Sequence, residues 1–178
     1  GREGLGNLSF EQGDVYDLTF EDASFDFVYA RFLFQHLQHP ERALAQARRV
    51  LRPGGILAIA DVDDDWLTLY PEPSCFRDFV DRAAAEQAKR GGDRYIGRKL
   101  GGLLSQCGFE EVRARVTTVG RDEIGLKGLL DLTTGFKYQQ LAAIDADLAL
   151  KQKEEIYAIL DNPNAWGYVG VFVANGRR

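Results

Sequence analysis

Between residues 25 and 60 the chain runs through a strand pattern, a helix pattern, a Pro-Gly-Gly stop and a second strand pattern, an order that leaves few folds open. Residues 25–30 (FDFVYA) are aromatic and β-branched, the composition of a strand. His39-Pro40-Glu41 opens a helix. Proline there gives up only an N–H that the first turn leaves unpaired, and the glutamate sits at the positive end of the helix dipole. Ala43, Leu44, Ala47, Val50 and Leu51 fall on one helical face. Pro53-Gly54-Gly55 ends the helix, since proline cannot continue it and glycine accepts positive φ. Residues 56–60 (ILAIA) are apolar without alternation, as a strand must be when helices cover both faces of a parallel sheet. Strand, helix and strand so spaced make a right-handed βαβ crossover, and the chain is an α/β protein.

Elsewhere the pattern is less constraining. Residues 7–12 have the character of a short strand ending at Gly13-Asp14. Phe76, Phe79, Val80, Ala83 and Ala84 form one amphipathic helical face, and Leu100, Leu103, Leu104 and Cys107 another, stopped by Gly108. Residues 112–118 alternate apolar with Arg113, Arg115 and Thr117, which suits a strand near a sheet edge. Residues 168–174 (YVGVFVA) form the last strand, and residues 122–160 between the two are expected to be a helical lid or cap. With 178 residues and no linker or repeat, residues 1–178 form a single domain. Its 22 Lys+Arg against 27 Asp+Glu, a net charge of −5, argue against a nucleic-acid partner. No run is long and apolar enough to cross a membrane. Cys75 and Cys107 make no disulfide framework, which points to a reducing, cytoplasmic setting. The absence of methionine sets the expectation that Gly1 is not a native start.

Gly13-Asp14-Val15, Phe25-Asp26-Phe27-Val28, His36-Leu37 and residues 49–55 (RVLRPGG), in that order, resemble class I S-adenosylmethionine-dependent methyltransferases. The style is that of small-molecule enzymes typified by ubiquinone and menaquinone biosynthesis. The resemblance implies a Rossmann-like sheet, largely parallel with an antiparallel late strand, flanked by helices and carrying a helical insertion before the last strand. Against that pattern the sheet is incomplete: the family's N-terminal glycine-rich motif is not found. Gly4-Leu5-Gly6 has no strand before it and no helix after it. By that pattern about 50 residues are absent, at ~30 per βαβ unit. Residues 1–22 are then expected to be misplaced, swapped to another chain or mobile, and the bared sheet edge makes a homodimer an expectation.

The resemblance implies S-adenosylmethionine as cofactor and a small organic molecule as methyl acceptor. Asp14 and Val15 would meet the adenine, the carboxylate accepting from its amino group and the backbone N–H donating to a ring nitrogen; the alternative is a turn aspartate capping its own backbone. Ala30, Arg31 and Phe32 lie at the carboxyl end of the strand over residues 25–30, where α/β ligands bind, and would touch the methionine moiety and the acceptor. His36 is the candidate base, with simple packing or helix capping as its alternative. Trp66 and Tyr70 would wall the acceptor pocket, or belong to ordinary core. Asp61, Asp63, Asp64 and Asp65 suit a solvated acidic loop better than a metal site, for no second ligand cluster has matching spacing. Two other functions stay open: a catalytically silent module acting in assembly, and a short-chain-dehydrogenase-like oxidoreductase using Tyr95 and Lys99.

Overall fold

The computed structural model describes residues 6–178. Its centre is a four-stranded mixed sheet of order β1-β2-β4-β3, formed by β1 (Phe25–Arg31), β2 (Leu51–Tyr70), β3 (Glu110–Gly120) and β4 (Trp166–Arg177). Parallel pairing is confined to β1 and β2, the two strands of the crossover. The late strand β4 runs antiparallel to both β2 and β3. Around the sheet lie α1 (Pro40–Val50), α2 (Phe76–Ala88), α3 (Leu100–Gln106), α4 (Arg121–Ala142) and α5 (Ala146–Tyr157). The last two fill the insertion between β3 and β4, with α4 broken at Gly125, where φ is 72°. Among the described residues no helix is long and apolar enough to cross a membrane.

The apolar positions form two cores. One packs Leu44 and Ala47 of α1 and Leu100 and Leu104 of α3 against Leu51, Leu57 and Ile59 of β2. The other joins Phe76, Phe79 and Val80 of α2, Leu129 and Leu130 of α4 and Ile156 of α5 to Leu67 and Leu69, further along the same strand. Each of these leucine, isoleucine, valine and phenylalanine side chains, fully buried, contributes roughly 1.5–3 kcal/mol.

β2 is far longer than the five-residue strand expected at ILAIA: it runs 20 residues, through the acidic segment and on to Tyr70. Its pairing with β4 is interrupted between Val62 and Leu67, where β2 advances five residues while β4 advances two, Val171 to Val169. The surplus is a bulge, and a bulge bends the strand and re-aims side chains. Gly170 makes room for it, since a Cβ there would sit 2.8 Å from Cβ of Trp66.

The expected strand at residues 7–12 does not form. Leu8 and Phe10 are exposed, and among the described residues the only pairing nearby is an isolated bridge between Asp14 and Asp17. A lone strand without a neighbour has no partners for its backbone groups. Residues 1–5, including Gly4 and Leu5, lie outside the described residues. Residues 18–22 are not displaced from the body: the Arg49 guanidinium of α1 donates to the Leu18 and Phe20 carbonyls and to Asp22. β1 is the outer strand on this side, with Phe27 and Tyr29 exposed along it.

Candidate functional site

At the carboxyl end of β1, beside Ala60 in the middle of β2, the chain turns sharply. Phe32 adopts φ 51°, a conformation costly for a side chain of its size, and its N–H donates to the Ala60 carbonyl at 2.8 Å. A single 3₁₀ turn, Phe34–His36, follows. Asp61 at the end of ILAIA anchors it, accepting from the Gln35 N–H at 3.1 Å and from the Val62 N–H at 2.9 Å. Burial pushes the Asp61 carboxyl above its usual range, and those backbone donors hold it back.

The bulge turns the next carboxylates inward. Asp63 and Asp64 are fully buried, so the acidic segment is not a solvated loop; Asp65 alone of its tail stays exposed. Each buried carboxylate is gripped by a cation from elsewhere in the chain. Arg98 holds Asp63 through Nε and Nη2, both at 2.5 Å. Arg94 holds Asp64 through Nε at 2.9 Å and Nη2 at 2.7 Å, a fork-on-carboxylate geometry stronger than a single contact. Lys137 of α4 reaches the same Asp64 at 3.2 Å and the Thr133 carbonyl at 3.0 Å. Among the described residues no cluster of three metal-type ligands exists, and these carboxylates are spent on cations.

Above this charged floor is a hollow of about 270 Å³. Phe32, Val62, Leu67, Val119, Val169 and Val171 give it an apolar lining, and Leu132, Thr133 and Phe136 of α4 close one side. Gln35, His36, Asp64, Arg94 and Lys137 supply its polar groups. An apolar cavity with a few convergent polar groups is the usual form of a small-molecule site.

Lys137 is 2% exposed. Burial pulls its ammonium down to about 8, Arg94 adds to the depression and Asp64 partly offsets it. The unfolded chain keeps that proton up to the ordinary lysine range, so between pH ~8 and ~10.4 the unfolded state binds more protons and stability from this residue rises with pH. Urea denaturation of the protein and of Lys137→Met at pH 8 and pH 10 checks this: the stability difference should move in favour of the lysine protein, and a constant difference contradicts it.

His36 lies in this site. Burial, and then the Arg94 charge, lower its affinity for a proton, with Asp61 pulling the other way. Its Nδ1 lies 3.4 Å from Nε2 of Gln87, and its ring meets Phe136 edge-on at 6.1 Å. With the Gln87 amide donating to Nδ1, a neutral ring carries its proton on Nε2.

The other expected site residues are dispersed. Phe32 lines the hollow, while Arg31 sits outside with its guanidinium 5.6 Å over the Phe32 ring. Val15 and Ala30 line a second apolar hollow of about 330 Å³ against β1 and α1, together with Leu33 and Phe34. Asp14, beside Val15, caps its own turn by accepting from the Tyr16 N–H at 2.8 Å; its second carboxylate oxygen accepts nothing among the described residues. Trp66 and Tyr70 do not line this hollow. The strand continues where a loop was expected, and the bulge resets its alternation, so that Leu67 faces the hollow and Trp66 the opposite side, over Gly170 and edge-on to Phe172 at 5.5 Å. Tyr70 is 72% exposed. Tyr95 and Lys99 do not form a pair: the tyrosine hydroxyl bonds Asp81 and the ammonium bonds Asp93.

Arg94 and Lys137 escaped the sequence reading. Arg94 follows two glycines in a loop with no period to mark it. Lys137 did leave a trace, for it occupies the stripe of Leu126, Leu130 and Leu141, where the helical period calls for an apolar residue.

Residues 1–59 match the family model described as a methyltransferase domain. Two relatives extend the likeness. An uncharacterised 37.1 kDa protein in transposon TN4556 of Streptomyces fradiae is 38% identical over 122 residues, 67% of this chain and 34% of that protein. The 27-O-demethylrifamycin SV methyltransferase of Amycolatopsis mediterranei (strain S699) is 42% identical over 111 residues, 62% of this chain and 34% of that enzyme. The chain thus spans about a third of the length of these relatives. A candidate methyltransferase from Bacillus halodurans C-125 has the same fold, with a TM-score of 0.55 at 18% identity, over 96% of this chain and 77% of that one.

Proposed function

We propose that this chain, whose residues 1–59 match a methyltransferase family model, belongs to an enzyme that moves a methyl group from S-adenosylmethionine to a small organic acceptor held in the hollow beneath α4. The hollow itself carries the reading: it is apolar, covered on one side by the inserted helix, and set beside the bulge of β2 at the carboxyl end of β1, where α/β folds bind ligands. The Amycolatopsis relative, which by its name methylates an oxygen of a small molecule, supports it.

The residues present fit the adenosine end of the methyl donor. The hollow against β1 offers Val15, Ala30 and Leu33 for an aromatic ring, and Asp14 has a carboxylate oxygen to spare beside it. Asp14 and Val15 would hold the adenine, with Ala30 and Phe32 near the methionine end and Arg31 available to its carboxylate. The donor brings a methyl group on a positively charged sulfur, which a lone pair on the acceptor displaces in line. Positioning supplies most of the rate in such a reaction. Leu132 and Phe136 offer apolar contact along one side, while Arg94, Lys137 and His36 would orient the acceptor. The finer kinship, with ubiquinone- and menaquinone-type enzymes, rests on the four motifs of residues 13–55.

Calorimetric titration with S-adenosylhomocysteine should show micromolar binding. Asp14→Ala should weaken it about 10- to 100-fold, the worth of one hydrogen bond to a charged group. No heat of binding would reject this reading for the chain and favour the silent assembly module.

A further inference from the structure

We propose that the acceptor enters as an oxyanion: a small, largely apolar molecule whose phenolic or carboxylic oxygen is held by Lys137 and Arg94. This rests on the methyltransferase reading and adds the chemical class of its substrate.

The donors at the floor outnumber the acceptors. Arg94 has five N–H groups; two go to Asp64 and one to Gln35 Oε1. Lys137 has three, of which one goes to Asp64 and one to the Thr133 carbonyl. Among the described residues, two N–H groups of Arg94 and one of Lys137 are left over, on side chains that line the hollow. The charges are out of balance in the same sense. Asp64 is a single carboxylate shared by two cations, Asp63 is occupied by Arg98, and Asp61 is turned to the 3₁₀ turn. His36, which lines the same hollow, is disfavoured as a cation. A surplus positive charge buried among valines and leucines is costly unless an anion joins it. The cavity volume, about 270 Å³, leaves room for one ring and its substituent.

An oxyanion changes what the site must do. It has no proton to lose, so no base is required, in keeping with a His36 whose Nε2 already carries its proton. The oxygen lone pair forms the new O–C bond as the C–S bond breaks, and that bond's electron pair stays on sulfur. One anion and one sulfonium become two neutral groups at the reaction centre. The methylated product has then lost the charge by which Lys137 and Arg94 held its precursor, and the same floor that captures substrate lets product go.

The test needs no methyl donor, so its failure and that of the methyltransferase reading are separable. Benzoate and benzamide, equal in shape and different in charge, are titrated calorimetrically into the 178-residue protein. Binding of 4-nitrophenol is followed by the absorbance of its anion. Benzoate should bind at least about tenfold more tightly than benzamide, or 4-nitrophenol should bind as its yellow anion below its ordinary pKa; the stronger of the two assigns the acceptor as carboxylate or phenolate. Lys137→Met should weaken the anion about 10- to 100-fold and benzamide far less, narrowing the gap between them. Asp64→Asn, by removing the competing carboxylate, should tighten it. A purely structural cluster predicts weaker binding in both variants. That result, equal affinity for benzoate and benzamide with nitrophenol held neutral, or binding of no probe, overturns the proposal.

Discussion

Replacing Arg94 with methionine should lower the free energy of unfolding by about 3 kcal/mol, within the 3–5 kcal/mol typical of breaking a buried ion pair. Both partners are enclosed, the Arg94 side chain at 11% exposure and Asp64 at 2%. Removing the guanidinium leaves a buried carboxylate facing Lys137 alone at 3.2 Å, and leaves Gln35 Oε1 without its donor. The loss should fall at the low end of that range because Lys137 stays. A second substitution reports on the origin of the effect: in Asp64→Leu/Arg94→Met no orphaned carboxylate remains, so the pair should lose less than the sum of the singles by about 1–3 kcal/mol. Urea denaturation with an unchanged m-value measures both. A single-variant loss under 1 kcal/mol, or simple additivity, would show that the pair is solvated in a way its burial contradicts.

Phe79→Ala should cost about 3–5 kcal/mol, the range for a large aromatic cut from a packed core. Phe79 is fully buried among Leu67, Leu69, Leu129 and Leu130, where α2, α4 and β2 meet. For a domain with 5–15 kcal/mol of stability this is a large fraction. The damage should reach the site, because Leu132, Thr133, Phe136 and Lys137 stand on the α4 that Phe79 seats. Phe79→Leu, which keeps more of the volume, should cost less than half as much. Equal losses for the two variants by thermal or urea unfolding would mean that the core refills the cavity and that α4 is seated by something else.

What the sequence disclosed follows from how locally each feature is encoded. The crossover was legible because strand, helix and stop are set by neighbouring residues: α1 begins at Pro40 and buries Ala43, Leu44, Ala47 and Val50, the positions the period marks. α2 likewise buries Phe76, Phe79, Val80, Ala83 and Ala84. The length of β2 was not legible. Three nearly consecutive aspartates look like a loop to any local rule, and only Arg94, Arg98 and Lys137, some 30 to 73 residues away, make their burial tolerable. Trp66 and Tyr70 were assigned to the pocket for the same reason, since the bulge that decides their face is a property of the β2–β4 pairing. Of the named site residues, Phe32 and His36 lie at the hollow because the strand end beside them was readable.

The charged floor also partitions the protein. Along β2, Leu57 and Ile59 belong to one apolar core and Leu67 and Leu69 to the other, and the ion-paired aspartates stand between them; along β4, Ala174 and Val169 divide in the same way. The two oily compartments share a sheet but no continuous packing, so side-chain volume can be traded in one without a matching trade in its neighbour. The compartment that includes α4 can be remoulded for acceptors of other shapes while the crossover that sets the strand ends stays as it is. A fold divided in this way is open to new specificity at small structural cost.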